Sequence, residues 1–357
     1  PYNIWTGPTN FVRTSHTEGE LSNQAVYVFD TLHFGERWML NLGARYEHNE
    51  GSSRIYPVSS DQDSLGQITG TPDVFRNEDD LFSYRAGIVF KPAANGTIYL
   101  SYANAKTPSK ASVNGACNAT TCNVAPETAV NIELGTKWEV LDGHLALTAA
   151  LFRNERENYR VESPANPENP AGEQQLDGEA RVNGVALGAA GNITREWSVF
   201  ANYTYLDSEV IRGVSQFCLD NPGFVNPDPD ADEACENTAE LPDPFAGNPL
   251  TQTPKHSGSV WTTYALGDWT FGYGATYQGG FVTQNNSLTF PVLYETPDYW
   301  VHRAMVAWQA SDNLALQLNV SNLLDEEYYL RIRNNASNGW ATPGEARAAV
   351  LTATYRF

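Results

Sequence analysis

The chain has 357 residues, 12% of them aromatic, with 42 acidic side chains against 22 Lys and Arg and a formal net charge of -20. That acidity argues against nucleic acid as a partner, since nucleic-acid binding favours a basic footprint. No stretch offers the roughly 18 uninterrupted apolar residues of a membrane-spanning helix. The opening Pro1-Tyr2-Asn3-Ile4-Trp5 contains neither an initiator Met nor a signal peptide, so the chain reads as the C-terminal piece of something longer.

In chain order the dominant pattern is alternation with a period of two, the mark of strands with one apolar face. The first predicted strand, over about 21 to 34, sets Ala25, Tyr27 and Phe29 against Gln24, Val26 and Asp30. A three-residue turn, Gly35-Glu36-Arg37, leads into Trp38, Leu40, Leu42, Ala44 and Tyr46, followed by a polar loop of some thirty residues up to Phe82. The next hairpin presents Phe82, Tyr84, Ala86, Ile88 and Phe90, turns at 92–96 and returns through Ile98, Leu100 and Tyr102. After a cysteine-bearing loop (about 105 to 128), Ile132, Leu134 and Trp138 turn at 141–144 into Leu145, Leu147, Ala149 and Leu151. A loop at 162–175 precedes Val185, Leu187 and Ala189, then Trp197, Val199, Ala201, Tyr203 and Tyr205. The longest loop, 207–254, carries ten acidic residues and one Arg. A hairpin over about 256 to 278 turns at Gly267-Asp268, and a further loop, 279–297, leads to the closing strands that end at Phe357.

About thirteen strands joined alternately by short turns and long loops predict an all-β, antiparallel up-and-down transmembrane barrel with tight periplasmic turns and long external loops. The terminal strand descends from a long loop, so Phe357 lies at the periplasmic rim and every short turn falls on that side. Trp38, Tyr46, Trp138, Trp197, Tyr205, Trp269, Tyr277 and Trp308 fall at strand ends with outward parity, as interfacial girdles require. Asp30, Arg45, Arg85, Glu133, Lys137 and Arg303 are assigned to the lumen, away from lipid. An odd number of strands does not close a bacterial single-chain barrel, so residues 1–357 read as one partial barrel whose first strands precede Pro1. The four cysteines fall in two local pairs, Cys117/Cys122 and Cys218/Cys235, in loops without zinc-finger histidines. Disulfides made in an oxidising periplasm are the expectation, with unpaired thiols as the alternative.

An ordered set of motifs resembles the TonB-dependent outer-membrane receptors. It comprises Tyr99-Leu100-Ser101-Tyr102-Ala103, Pro126-Glu127, Asn131 through Trp138, Leu147 through Arg153, Thr253-Pro254-Lys255-His256, Asn319 through Tyr328, Pro343-Gly344 with Arg347, and Tyr355-Arg356-Phe357. The resemblance implies the last thirteen of about 22 strands around an N-terminal plug that this stretch lacks. It also implies outer-membrane location in a Gram-negative bacterium and active transport through an inner-membrane TonB complex that contacts the missing N-terminal part. Gln24 through Asp30 and Gly247 through His256 are most like receptors for ferric catecholate siderophores. Iron would come as part of that ligand, with no cofactor and no enzymatic chemistry. Alternatives are another TonB-dependent ligand (a hydroxamate siderophore, haem, cobalamin or an oligosaccharide) and a passive diffusion porin.

A flat-armed anionic chelate calls for aromatic faces with Arg nearby, because guanidinium stacks and hydrogen-bonds in one plane. The last external loop supplies Tyr328, Tyr329, Arg331, Arg333 and Trp340, and Tyr159 with Arg160 ends a strand at the external mouth. Lys106, Lys110 and Arg76 read as solvent-facing loop charges, Glu133 and Lys137 as lumen or plug contacts, and Arg347 as outward, toward lipopolysaccharide phosphate. Tyr355 and Phe357 read as the C-terminal barrel-assembly signal. Asp228-Pro229-Asp230-Ala231-Asp232-Glu233 starts like a calcium loop, but Glu233 replaces the sixth-position Gly and Ala239 the twelfth-position Glu, so a solvated acidic loop is expected.

Overall fold

A computed structural model describes residues 12–108, 122, 125–161, 164, 175–227, 234–283, 295–333 and 340–357. Among them the strands are β1 (His16–Phe34), β2 (Trp38–Tyr56), β3 (Asp73–Ala93), β4 (Gly96–Thr107), β5 (Glu127–Val140), β6 (Leu145–Val161), β7 (Gln175–Asn192) and β8 (Trp197–Arg212). A short helix, α1 (Gln216–Asp220), follows. The chain continues with β9 (His256–Leu266), β10 (Trp269–Gln278), β11 (Tyr299–Gln309), β12 (Leu314–Ser321), β13 (Tyr329–Arg333), β14 (Trp340–Pro343) and β15 (Ala348–Tyr355).

Thirteen strands form one antiparallel meander in the order β1 through β12 and then β15, with β1 and β15 as its edges. β13 and β14 form a separate hairpin within the last long connection, which the alternation in sequence did not reveal. No helix among the described residues is long and apolar enough to cross a membrane; the strands themselves carry the apolar band.

Residues directly paired in an antiparallel ladder share a face, so the register fixes which side chains meet lipid. Trp38, Trp138, Trp197, Trp269 and Trp308 stand beside the short turns on one face, with Trp269 and Trp308 stacked at 5.3 Å. Along the same face the apolar residues give way to polar ones at Tyr46/His48, Phe82/Asp80, Leu151/Arg153 and Tyr205/Asp207. Trp38 to Tyr46 therefore brackets the band: at ~3.3 Å per residue and a ~45° tilt it spans roughly 20 Å, close to the ~25 Å apolar height of an outer-membrane barrel. β2 has 19 residues and β3 has 21. Their surplus rises beyond the band on the external side, because the opposite ends are tied by tight turns.

This corrects four sequence expectations. The polar loop after Tyr46 is mostly strand, leaving a connection of 57–72, and the acidic loop begins after Arg212 instead of at 207. Lys106 and Arg76 lie on strands β4 and β3, not in loops; Lys110 lies outside the described residues. Asp30 is not luminal. The three-residue turn pairs Phe34 with Trp38, and that register places Asp30 opposite Leu42 on the outward face near the periplasmic end. Val26 is outward for the same reason, while Tyr27 and Phe29 face the lumen, where the Arg45 guanidinium lies 6.0 Å from the Tyr27 ring. The run Val26-Tyr27-Val28-Phe29 is apolar on both faces, so alternation could not choose between them.

The luminal face is polar and tightly networked. Arg45 pairs with Glu47, to which Asn23 donates at 3.0 Å. Tyr99 donates to Glu133 at 2.6 Å, and the Lys137 ammonium sits 5.6 Å from the Tyr99 ring centre. That ring lies flat over Gly135, where a Cβ would come within 2.2 Å of it. At the chain's end Arg356 N donates to Asn313 O at 2.9 Å, and Tyr355 meets Phe357 edge to face at 5.2 Å on the periplasmic rim.

Candidate functional site at the external mouth

Two groups of residues stand where the strands rise above the apolar band. The first is the β13–β14 hairpin. Ladder pairing of Arg331 with Thr342 and of Arg333 with Trp340 brings the Arg331 guanidinium 5.5 Å from the Trp340 ring centre. Tyr329 and Trp340 are about half exposed. Tyr328 lies over Gly344 and stacks obliquely on Tyr299 at 4.8 Å, and Tyr299 donates to Gln278 Oε1 at 3.1 Å. Four of the five residues expected in this loop thus gather around one hairpin and its base. The fifth, Arg333, has its backbone in β13, and its side chain lies outside the described residues.

The hairpin is anchored by Asn322, a residue with φ of 44° that is only 1% exposed. Its side chain donates to Glu326 O at 2.8 Å and Glu345 O at 2.9 Å and accepts from Glu326 N at 2.8 Å, which ties both ends of the connection together. Asp325 accepts from Arg347 N at 3.1 Å and from the Arg347 guanidinium at 3.4 Å. Arg347 is therefore engaged at the loop base while remaining half exposed.

The second group surrounds a cavity of about 580 Å³ on the luminal face of β4 to β8. Ladder partners Ala105, Ala129, Arg156, Ala180 and Val210 form one row across it, and Ala103, Asn131, Asn154 and Val182 the row below. Asn131 donates to Asn154 at 2.7 Å, and Arg156 Nε donates to Glu127 at 3.0 Å. Tyr159 belongs here because of a bulge. Asn158 takes φ of 58°, the register shifts between Glu157 and Tyr159, and the tyrosine pairs with Gly178 on the luminal side. Unbroken alternation would send Tyr159 outward with Glu155 and Glu157. Its ring leaves no room for a side chain at Gly178, and its hydroxyl donates to Arg212 O at 3.0 Å. Burial first, and then the charge of Asp243, push the Tyr159 hydroxyl up, with Arg156 opposing, so the phenol stays protonated at neutral pH. Arg160 continues β6, with its side chain outside the described residues.

The cavity is walled from above by Leu250, Thr251 and Thr253. These come from a connection with its own small core. Cys218 and Cys235 form a disulfide that encloses part of it, and Val214, Phe217, Leu219, Phe224 and Phe245 pack around them. Buried Asn237 donates to Cys218 O at 2.7 Å and Pro242 O at 2.8 Å. The irregular exit of this connection then runs along β8, with Val210 N donating to Asn248 O and Leu250 N to Ser208 Oγ. Cys122 is also disulfide-bonded, whereas Cys117 and the Asp228–Glu233 run lie outside the described residues.

Comparison with known proteins gives this architecture a family. Residues 1–323 match the model of the TonB dependent receptor-like β-barrel. The chain is 34% identical over 96% of its length to the probable TonB-dependent receptor BfrD of Bordetella pertussis. It is 31% identical over 96% of its length to the catecholate siderophore receptor Fiu of Escherichia coli. The crystal structure of the siderophore receptor PiuA from Acinetobacter baumannii superposes with a TM-score of 0.77 at 31% identity, covering 95% of this chain and 44% of that one. The closed form of the ferric-catecholate import receptor Fiu gives a TM-score of 0.74 at 28% identity, covering 96% of this chain and 45% of that one. The chain spans 42% of BfrD and 43% of Fiu, about two fifths of each curated relative. With its strand order, its girdles and its family match in agreement, the chain belongs to the TonB-dependent receptors, as part of their β-barrel in the outer membrane of Gram-negative bacteria.

Proposed function

We propose that the receptor carrying this barrel takes up a ferric siderophore of the catecholate type. The observation that carries the proposal is the Arg331 guanidinium set over Trp340 on the external hairpin, beside Tyr328 and Tyr299. Ferric catecholates are flat-armed anions, and a cation braced on aromatic faces offers them both charge and stacking surface. Arg331, Arg333, Tyr328, Tyr329 and Trp340 form the first capture surface in this reading, and Tyr159 and Arg160, near the external end of β6, are further contact candidates. The likeness to Fiu, a catecholate siderophore receptor, supports the same class, and the likeness to PiuA, a siderophore receptor, supports siderophore uptake. The strong net negative charge of the chain makes long-range attraction of an anion weak, so capture relies on this local patch.

The chain's part in transport follows from its position. Among the described residues thirteen strands end in open edges at β1 and β15 and require further strands to close, an even total being the rule for bacterial barrels. The remainder of the protein would complete the wall, fill the lumen with a plug and engage the TonB complex. Glu133, Lys137 and Tyr99 offer the plug a charged luminal surface, and Arg347 faces lipopolysaccharide at the outer rim. Tyr355 and Phe357 close the last strand as the assembly signal. Iron is cargo here, no resident cofactor is needed and no bond is made or broken.

The test is uptake of radiolabelled iron by cells whose other siderophore receptors have been deleted and which express the intact protein. Ferric catecholates should be taken up in an energy-dependent manner and compete with one another. Competition by hydroxamate chelates or cobalamin alone would overturn the catecholate assignment. Uptake that persists when the proton-motive force is collapsed would overturn active transport.

A further inference from the structure

The cavity under Thr251 and Thr253 has a shape that the hairpin surface lacks. Its back wall is built from Ala103, Ala105, Ala129, Ala180, Val182 and Val210, none longer than a valine. These small side chains form two shallow apolar patches, Ala103, Ala105 and Ala129 on one side and Ala180, Val182 and Val210 on the other, with Arg156 and the Asn131–Asn154 pair as a polar ridge between them and the Tyr159 ring in the row above. At about 580 Å³ it lies within the size range of small-molecule sites, which are mostly apolar with a few placed polar groups. Arg156 is fixed by Glu127, and Tyr159 by its bond to Arg212 O, so both are held in place before anything binds.

We propose that this slot is a subsite for one aryl arm of the bound chelate, an inference that rests on the siderophore reading above. The ring lies on the Ala180, Val182 and Val210 patch, below the Tyr159 face. The arm's oxygens and its amide linker remain at the Arg156 and Asn131–Asn154 ridge. A hydroxamate arm, being an aliphatic chain without a planar ring, gains little from such a slot. The site therefore discriminates by arm shape, where the exposed hairpin selects mainly for charge and aromatic contact.

The experiment measures affinity by tryptophan-fluorescence quenching of the intact receptor in detergent, with the ferric complex of 2,3-dihydroxybenzoic acid and a ferric trihydroxamate as probes. Ala129→Trp fills the slot from an exposed luminal position and should weaken the catecholate complex by about tenfold or more, the scale of one lost aromatic contact set. Arg156→Gln, which adds no bulk, should weaken it by roughly threefold to tenfold. Heat-modifiable migration on gels verifies that each variant is folded, and Arg156→Gln carries the test if Ala129→Trp does not fold. If the wild type binds the catecholate complex and neither variant alters its affinity, the subsite is wrong and the siderophore reading stands. Equal weakening of trihydroxamate binding overturns the aryl assignment. If the wild type binds only the trihydroxamate, both this inference and the catecholate reading fall.

Discussion

Removing the Cys218–Cys235 disulfide should loosen one connection while leaving the barrel intact. The bond closes a loop of sequence separation 17. In the chain-entropy treatment a loop of that size, cross-linked, stabilises the folded state by about 3 kcal/mol at 25 °C. Because the connection has its own apolar cluster and touches the barrel mainly through β8, this energy acts on local opening. A loss of ~3 kcal/mol corresponds to roughly a hundredfold rise in the opening constant. Hydrogen exchange followed by mass spectrometry on the C218S/C235S variant reads this directly. The amides of Leu219, Asn221 and position 235, bonded to Ser215 O, Phe217 O and Phe224 O, should exchange about a hundredfold faster, while those in the β8–β9 ladder from Trp197 to Tyr205 stay protected. Unchanged protection in the loop would refute the reasoning. The aromatic cluster and Asn237 would then hold the fold unaided, and closure entropy would not be what stabilises it.

Other residues carry equally direct tests. Leu134→Arg puts a charge on the outward face near the middle of β5 and should destabilise the barrel by about 2–4 kcal/mol in urea titrations in lipid vesicles, whereas luminal Glu133→Gln should cost under ~1 kcal/mol. Equal costs would mean that the faces are misassigned. Asn322→Ala removes three bonds at a buried site and should destabilise the last external connection by about 3 kcal/mol, read as faster exchange at Glu326 and Gly344. His48, just above the Tyr46 girdle, is raised by its bonds to Asp80 and then Glu50, so its contribution to stability is fully present below its unfolded pKa and is lost as pH rises through the higher folded value. Its ring resonances should titrate above the ordinary histidine range, and Asp80→Asn should lower that midpoint; no movement would remove Asp80 as the cause.

Much of the barrel was legible because lipid enforces it. A period of two with tryptophans at turn-proximal ends, as at Trp138, Trp197 and Trp269, leaves a single arrangement that keeps Glu133, Lys137 and Arg303 out of lipid. What alternation could not supply was the end of each strand. Above the band both faces are wet, so Glu50, Arg54 and Glu78 look like loop residues although the ladder runs through them. Nor could it orient β1, whose Val26 and Tyr27 are both apolar, until the turn pairing of Phe34 with Trp38 fixed the parity. The β13–β14 hairpin escaped for a related reason: its strands are 5 and 4 residues long, too short for a period to declare itself.

The candidate site shows the same limit more sharply. Tyr159 was singled out for its residue type and its place at a strand end, yet parity alone puts it outside the barrel. The added residue at Asn158 reverses it, and a left-handed φ of 58° is a conformation that asparagine tolerates better than most residues. That reversal opens the apolar slot beneath it, since Gly178 must stay bare for the ring to lie there. Ala129 and Ala180 carry no chemical signal of their own and emerge as cavity wall only when the register sets them on either side of Arg156 in one row. Side chains that attract a ligand can be found in a sequence by their type. Those that merely make room for one become visible only through the bulges and pairings that decide where the chain is thin.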